Sequence, residues 1–170
     1  MVQVGSGADS TPTKEYQLKA AYLLQFVRFV EWPAGTFASD NTPLRIGVLG
    51  EDPFGGALDE MARGQTVRNR PIVVQRAQRG DDLVDCQMIY LGRSELDRVG
   101  NDLAIFSAHA VLTVSDLDHF ASHGGDIGFY PDARKVRFEI APANAQRHGL
   151  KLSANLLSLA RIVDAGEGGK

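Results

Sequence analysis

The sequence predicts an α/β fold, a three-layer domain in which a mostly parallel sheet ends in a C-terminal antiparallel hairpin. Short apolar runs alternate with helical patterns from residue 14 onward, which is typical of parallel strands joined by crossover helices. After His123 two strand-like runs are separated by only four residues, and a connection that short joins antiparallel strands. At 170 residues the chain is long enough to bury a core of this kind.

The first predicted element is a helix over residues 14–30. Its apolar side chains recur at the spacing of one helix face, Thr11 or Thr13 can cap its start, and Pro33 is expected to end it. Phenylalanines widen the apolar stripe until the second half of the helix is apolar nearly all round, and Arg28 lies in the strip that stays polar. We expect this helix to be covered on two sides, by its own sheet and by something else.

Four parallel strands are predicted next, with helical patterns between them. The strands are residues 44–50, 71–77, 87–92 and 110–116. A short helix over 54–63 separates the first two, and a helical stretch that ends near Ala108 precedes the fourth. The hairpin strands are residues 127–130 and 135–140, and a last helix is predicted over 152–163.

Composition and charge limit the organisation and the partners of the chain. Hydrophobic residues make up 44% and charged residues 23%, which is ordinary for a globular protein. We predict a disordered leader over residues 1–13, one domain over residues 14–164 and a loose tail over residues 165–170. The net charge of −3 gives no general reason to expect nucleic-acid binding, and no apolar run approaches the roughly 20 residues that span a bilayer.

Several side chains that often carry chemistry are present, but no catalytic set is complete. His119 and His123 have the spacing of paired metal ligands, yet Phe120 stands where a zinc protease needs Glu, so exposed or capping histidines are expected. The glycines around the first strand lack the spacing of a dinucleotide site, and Asp52 is expected to cap the next helix. Cys86, the single cysteine, excludes an intramolecular disulfide and is expected to be a buried, unreactive thiol. We expect neither enzymatic activity nor a cofactor or metal.

A response-regulator receiver is the structural alternative, because it alternates strands and helices in the same way. Glu51 and Asp52 follow the first strand and could hold a metal, while Ser115 follows the fourth. However, the third strand runs into Leu-Gly-Arg where a phosphoacceptor Asp is needed, and the fifth ends in Tyr-Pro where a Lys is needed. The alternative that stays open is therefore a receiver-like domain without phosphotransfer.

The strand KVRFEI at residues 135–140 alternates apolar and charged side chains. Arg137 and Glu139 lie on one face of it, which is either solvated surface or the wall of a polar pocket. Lys151 and Ser153 lie where the chain enters the last predicted helix, a place where backbone N–H groups are free.

The sequence resembles the YfiR family over nearly all of residues 14–163. The stretches that carry the resemblance, in order, are KAAYLLQFVRFVEWP, LRIGVLGEDPFGGALDEMARGQTVRNRPIVVQR, DCQMIYLGRSE, VLTVSD, GGDIGFY and VRFEIAPANAQRHGLKLSANLLSLARIV. The resemblance implies a small periplasmic α/β protein, often dimeric, whose export signal has been removed. It further implies repression of an inner-membrane, YfiN-like diguanylate cyclase through that partner's periplasmic part, which lowers cyclic-di-GMP and biofilm formation.

The resemblance also implies a small-molecule pocket that accepts an aromatic amino acid. Alignment through the FEI strand carries Glu139 onto a pocket carboxylate and places Lys151 and Ser153 near basic and polar pocket positions. Arg28 aligns with a pocket arginine of the first helix. We therefore expect these four residues to bind a small amphiphilic metabolite.

The remaining implications concern assembly. The first helix is expected to contribute apolar area to a homodimer or partner contact. Disulfide-based redox control, which the resemblance implies elsewhere in the family, is excluded within a chain that has only Cys86. A small-molecule-binding sensor module of a membrane signalling protein stays open as an alternative function.

Overall fold

The computed structural model describes residues 13–164, so the predicted leader, apart from Thr13, and the predicted tail lie outside the described residues. The helices are α1 Lys14–Arg28, α2 Ala57–Ala62, α3 Val99–Ser107, α4 Pro142–Arg147 and α5 Ala154–Ser158. The strands are β1 Val30–Glu31, β2 Leu44–Leu49, β3 Thr66–Val67, β4 Arg70–Ala77, β5 Met88–Leu91, β6 Leu112–Ser115, β7 Ile127–Asp132, β8 Lys135–Ile140, β9 Lys151–Leu152 and β10 Arg161–Ile162. Short 3-10 helices span Gly80–Leu83, Arg93–Arg98 and Ala121–His123.

The predicted fold class is confirmed. The main sheet has the strand order β10-β8-β7-β6-β5-β2-β4-β3, and β1 and β9 form a separate two-stranded ribbon. Strands β4, β2, β5, β6 and β7 are parallel neighbours, whereas β7 and β8 form the predicted antiparallel hairpin. Numbered along the chain, the parallel strands have the order 2-1-3-4-5, which is the order of flavodoxin-like and receiver folds. The division of the chain into leader, single domain and tail stays a prediction.

Helices cover both faces of the sheet, which is why the parallel strands are apolar without alternation. On one face, Ile46 of β2 and Tyr90 of β5 belong to a buried cluster that includes Phe26 of α1. On the opposite face, Ile89 of β5 packs with Phe106 of α3 in a second cluster. Successive strand residues point to opposite faces, so one continuous apolar run supplies both layers of core.

The first helix ends two residues earlier than predicted, at Arg28. Val30 and Glu31 instead form β1, which pairs antiparallel with β9. The guanidinium of Arg68 donates hydrogen bonds to the carbonyls of Val27, Arg28 and Val30, at 3.4, 3.4 and 2.8 Å. These bonds satisfy carbonyl groups that a helix end leaves unpaired, so tertiary partners stabilise the end of α1 before the chain reaches Pro33. At the start of the helix, Thr13 is the cap, as one of the two predicted alternatives had it.

The last predicted helix, residues 152–163, is wrong as a continuous element. Leu152 belongs to β9, only Ala154–Ser158 is helical, and Arg161–Ile162 pairs with β8 as strand β10. Hydrogen bonding to two distant strands replaces the helix at both of its ends, and such pairing leaves no mark on local periodicity.

Candidate functional site

The parallel strands β2, β5 and β6 end at the same edge of the sheet, which is where open α/β folds bind their ligands. Asp116 follows β6 directly, and Arg93 follows β5 by two residues. Tyr16 and Lys19, from the first half of α1, reach the same place. We call Tyr16, Lys19, Tyr90, Arg93 and Asp116 the carboxyl-edge cluster.

Asp116 is the centre of this cluster, with a side chain only 3% exposed. One carboxylate oxygen, Oδ2, accepts hydrogen bonds from the Tyr16 hydroxyl at 2.5 Å and from Lys19 Nζ at 3.0 Å. The other oxygen, Oδ1, lies 3.5 Å from Nε of Arg93. Burial raises the pKa of Asp116, but the Tyr16 hydroxyl and the Lys19 charge outweigh it and hold the pKa below its usual value. Asp116 is therefore a carboxylate at neutral pH.

Lys19 and Tyr90 complete the charge arrangement. The Lys19 side chain is 5% exposed and its ammonium also pairs with Glu15. Burial lowers the pKa of Lys19, but the Glu15 and Asp116 carboxylates outweigh it and raise the pKa overall. Tyr90 is fully buried, and burial, helped by the Asp116 charge, raises the pKa of its phenol. The cluster thus holds a buried ammonium–carboxylate pair beside neutral phenols.

Two cavities open beside the cluster, and Arg93 lines both of them. The larger has a volume of about 530 Å³ and lies between the first turns of α1 and the β7–β8 hairpin. Its apolar lining is Leu18, Phe129, Tyr130, Pro131, Ala133 and Val136. The smaller, of about 180 Å³, is lined by Tyr16, Tyr90 and the turn after β2.

Arg28, the first of the sequence-predicted site residues, is exposed at the end of α1. Its guanidinium donates to the carbonyl of Thr66 and to Oε1 of Gln65, both at 3.0 Å. Because Arg68 of the same β3–β4 hairpin bonds to the carbonyls of α1, the two arginines join helix and hairpin reciprocally. Arg28, the polar residue in an otherwise apolar part of the helix, therefore has the β3–β4 hairpin as its structural partner.

Glu139 is buried in β8, at 6% exposure. Its Oε1 accepts from Nη2 of Arg161 at 2.5 Å and from Nε at 3.2 Å. The Arg161 guanidinium in turn lies 3.9 Å from the centre of the Tyr130 ring. Phe138 and Ile140 belong to the cluster under α1, so Glu139 points to the opposite face of the sheet. The neighbouring Arg137 is solvated surface and pairs with Asp132 at 2.7 Å.

Lys151 and Ser153 lie just before α5, in β9 and at the N-cap of the helix. Lys151 is exposed in β9, where it is the register partner of Glu31. Ser153 caps α5, because its Oγ accepts the N–H of Leu156 at 3.1 Å. Within residues 13–164, no hydrogen bond or ion pair joins any two of the four predicted pocket side chains, Arg28, Glu139, Lys151 and Ser153. Their assignment to one pocket stays a prediction.

The cysteine and histidines are placed as the sequence indicates. Cys86 is 2% exposed and its Sγ lies 3.4 Å from Oε1 of Gln75, while burial raises the pKa of the thiol to about 12. The predicted burial of Cys86 is thereby confirmed, and the raised pKa of its thiol agrees with the prediction that it is unreactive. His119 and His123 are both exposed, with Nδ1 of His123 at 3.0 Å from the His119 carbonyl. In the part of the chain that the structure describes, no group of three or more His, Cys, Asp or Glu could hold a metal ion.

The residues considered for a receiver site have structural partners. Asp52 accepts from the N–H of Phe54 at 2.8 Å and from Nε of Arg76 at 2.5 Å. The prediction that Asp52 caps the next helix is wrong, because α2 begins later, after Gly56 at its N-cap. The Ser115 hydroxyl donates to the last carbonyl of β5 at 2.7 Å. The receiver topology is present, and these two side chains are engaged in holding it together.

Sequence reasoning did not single out the carboxyl-edge cluster as a site. Part of the signal was available, since Arg93 and Asp116 each come just after an apolar strand and the ends of parallel strands share one edge. The contribution of Tyr16 and Lys19 was not available. They lie about a hundred residues from Asp116 in sequence, and helical spacing alone assigned them to the first helix.

The sequence matches a known protein family over most of its length. The sequence model of a family described as YfiR/HmsC-like matches residues 16–161, from the first turn of α1 into β10. No curated protein matches the chain significantly. None of the helices in residues 13–164 combines the length and the apolar character that crossing a membrane requires.

Proposed function

Because the chain belongs to the YfiR/HmsC-like family, we propose that it is a periplasmic regulatory protein that holds an inner-membrane, YfiN-like diguanylate cyclase in its inactive state. In this role it lowers cyclic-di-GMP and biofilm formation without chemistry of its own. The observation that carries the proposal is the extent of the family match, which includes the main sheet and its covering helices rather than a single motif.

Repression of this kind needs only a difference in binding. A protein that binds the inactive conformation of its partner more tightly than the active one shifts the equilibrium by that difference. A preference of about 2.7 kcal/mol corresponds to a shift of about a hundredfold, which an interface of ordinary size can supply.

We assign the contact with the cyclase to the β10 edge of the sheet. Leu159 and Ile162 are 68% and 52% exposed there, and they flank Arg161. Strand β10 is the terminal strand of the sheet, and among residues 13–164 no other strand pairs with its outer side. Exposed apolar side chains beside an open strand edge are a common docking arrangement for another chain.

The predicted metabolite pocket has a place in this proposal. Glu139 holds Arg161 in β10, between the two exposed apolar side chains. A ligand that competes for Glu139 would release Arg161 and disturb the edge proposed to face the cyclase. Calorimetry with an aromatic amino acid should therefore detect binding to the wild type and weaker binding to Glu139→Ala, with Lys151→Ala, Ser153→Ala and Arg28→Ala as tests of the other pocket positions. Equal binding to the wild type and Glu139→Ala would refute the pocket.

The decisive experiment for the regulatory role is genetic. Deleting the gene should raise cellular cyclic-di-GMP, and deleting the cyclase as well should cancel the rise. Restoring the gene with Leu159→Ser and Ile162→Ser should fail to lower cyclic-di-GMP. Leu96→Ser, which changes a side chain 62% exposed in the 3-10 helix after β5, should restore it fully. Unchanged cyclic-di-GMP in the single deletion contradicts repression and favours the sensor-module alternative.

A further inference from the structure

We propose that the larger cavity at the carboxyl-edge cluster is a binding site for a small anionic amphiphile, a molecule with an apolar body and a carboxylate or phosphate head. This inference is independent of the proposed repression, because it rests only on the geometry of this chain.

The topology of the sheet places a ligand-binding crevice directly beside the larger cavity. The connection after β2 leads to α2, whose Leu58 packs in the same cluster as α1, whereas the connection after β5 leads to α3, whose Phe106 packs on the opposite face. Neighbouring connections that leave a sheet in opposite directions open a crevice between them, and in this fold class the crevice is the usual ligand site. The smaller cavity lies at this crevice, since the turn after β2 and Tyr90 of β5 line it. Arg93 lines both this cavity and the larger one, which adjoins it on the side of β6 and the β7–β8 hairpin.

The charges around the larger cavity favour an anion. The cavity is lined by the basic residues Lys14, Lys19, Arg93, Arg134 and Lys135 and by the acidic residues Glu15, Asp116 and Asp118. Lys19 is neutralised by Asp116 and Glu15, but Lys14, Arg134 and Lys135 form no ion pair within residues 13–164. A local excess of positive charge on a chain of net charge −3 attracts anionic ligands.

The remaining lining suits an apolar body. Phe129 is buried at the floor, Val136 is partly buried, and Leu18 is 45% exposed at the mouth. A volume of about 530 Å³ falls in the range of about 300–1,000 Å³ that small-molecule pockets occupy. With its side chain 61% exposed, Arg93 can meet the head of the ligand while the body lies on Leu18 and Phe129.

Asp116 acts in this site as a positioning residue. Its buried carboxylate is fixed by Tyr16 and Lys19, and its free oxygen Oδ1 lies 3.5 Å from Nε of Arg93. This ion pair restricts the motion of the guanidinium at the cavity wall. Less conformational entropy is therefore lost when the guanidinium binds a ligand.

The test is calorimetric titration of the purified chain with probes that share a phenyl body and differ in their heads. Phenylpropionate and phenyl phosphate represent the two anionic heads, phenylpropylamine the cation and phenylpropanol the neutral head. We expect both anions to bind at least about tenfold more tightly than the amine and the alcohol. Arg93→Gln should weaken anion binding about tenfold, whereas Arg79→Gln should leave it unchanged, since Arg79 is 75% exposed, pairs with Asp81 and lies outside the cavity.

A second variant keeps the test decisive if Arg93→Gln destabilises the fold. The double change Lys14→Gln and Lys135→Gln alters only exposed side chains at the cavity mouth and should also weaken anion binding. Absence of binding by any probe at millimolar concentration, equal affinity for acid and amine, or full anion affinity in both cavity variants overturns the proposal.

Discussion

Asp126 illustrates how a single residue departs from its ordinary chemistry when the fold surrounds it. It is fully buried before β7, and its Oδ2 accepts from the backbone N–H of Thr113 at 2.9 Å and from the Thr113 hydroxyl at 3.1 Å. Burial raises the pKa of Asp126 to about 7, against the lowering effect of the Thr113 bonds. Asp102 behaves alike, because burial and the Glu95 carboxyl raise its pKa.

These raised pKa values predict how stability depends on pH. Between about pH 4 and about pH 7 the native state holds protons that the unfolded state has released, so the free energy of unfolding falls as the pH rises through this window. Asp126→Asn, which cannot ionise, should lose less stability between about pH 5 and about pH 8 in urea titrations. Asp40→Asn, at an exposed loop position, should follow the wild type. Parallel curves for the wild type and Asp126→Asn would contradict the raised pKa.

Ala133 is a second residue whose conformation the fold imposes. It lies in the two-residue connection of the β7–β8 hairpin with φ of 59°, in the left-handed region that favours glycine. Left-handed backbone costs a residue with a Cβ about 1–2 kcal/mol, and the extra chain entropy of glycine offsets part of any gain. Ala133→Gly should therefore raise the free energy of unfolding by about 0.5–1 kcal/mol. Ala104→Gly, at an exposed position inside α3, should lower it by a similar amount. Denaturant unfolding in which Ala104→Gly is more stable than Ala133→Gly would contradict the prediction.

At the scale of elements, the end of α1 shows how the fold joins a helix to a distant hairpin. Arg28 of the helix bonds to the β3 side of the hairpin. Arg68 at the hairpin turn bonds back to the carbonyls of Val27 and Arg28 at the helix end and of Val30 in β1. The turn itself consists of Arg68 and Asn69, both with positive φ, as tight hairpins require. The helix boundary and the hairpin register therefore stabilise each other.

These contacts predict that replacing Arg68 destabilises the protein more than replacing a surface arginine such as Arg79. Arg68→Ala should lower the free energy of unfolding by about 1–2 kcal/mol, because it leaves carbonyl groups at the end of α1 without their charged donor. Arg79→Ala removes only a surface ion pair with Asp81 and should change stability by less than about 0.5 kcal/mol. Urea unfolding of both variants makes the comparison, and equal effects would show that the helix-end bonds contribute nothing beyond surface charge.

At the scale of the whole molecule, most of the apolar stripe of α1 is buried in the chain's own core. Ala20, Leu23, Phe26 and Val27 are fully buried, and Leu18 is the strongly exposed large apolar side chain that the helix presents. The expected homodimer stays a prediction, for which we consider Leu18 on α1 and the β10 edge as candidate surfaces.

Light scattering with and without a reducing agent tests the assembly. We expect a dimer whose mass and melting temperature are unchanged by reductant, because Cys86 is buried and the loss of one disulfide would cost about 2–5 kcal/mol. Leu18→Glu should shift the equilibrium toward monomer if α1 forms the interface, whereas Leu96→Glu serves as the control. A clean monomer at high concentration excludes the dimer, and a fall in melting temperature with reductant would indicate a bridge through Cys86.

Much of this architecture was determined by the sequence alone, and the rest only by the tertiary structure. Continuous apolar runs and short connections predicted the parallel strands and the β7–β8 hairpin, because burial on two faces and the length of a turn are local properties. A threonine cap for α1, with Thr11 and Thr13 as the two candidates, and a buried thiol at Cys86 were likewise predicted from neighbouring residues, and the structure selects Thr13. The division of the last predicted helix into β9, α5 and β10 was not, since it depends on strands contributed by remote parts of the chain. The carboxyl-edge cluster likewise depends on the tertiary structure. Asp116 can be buried as a carboxylate because folding brings in Tyr16 and Lys19, which lie about a hundred residues away in sequence. Tyr16 donates a hydrogen bond to the carboxylate and Lys19 offsets its charge.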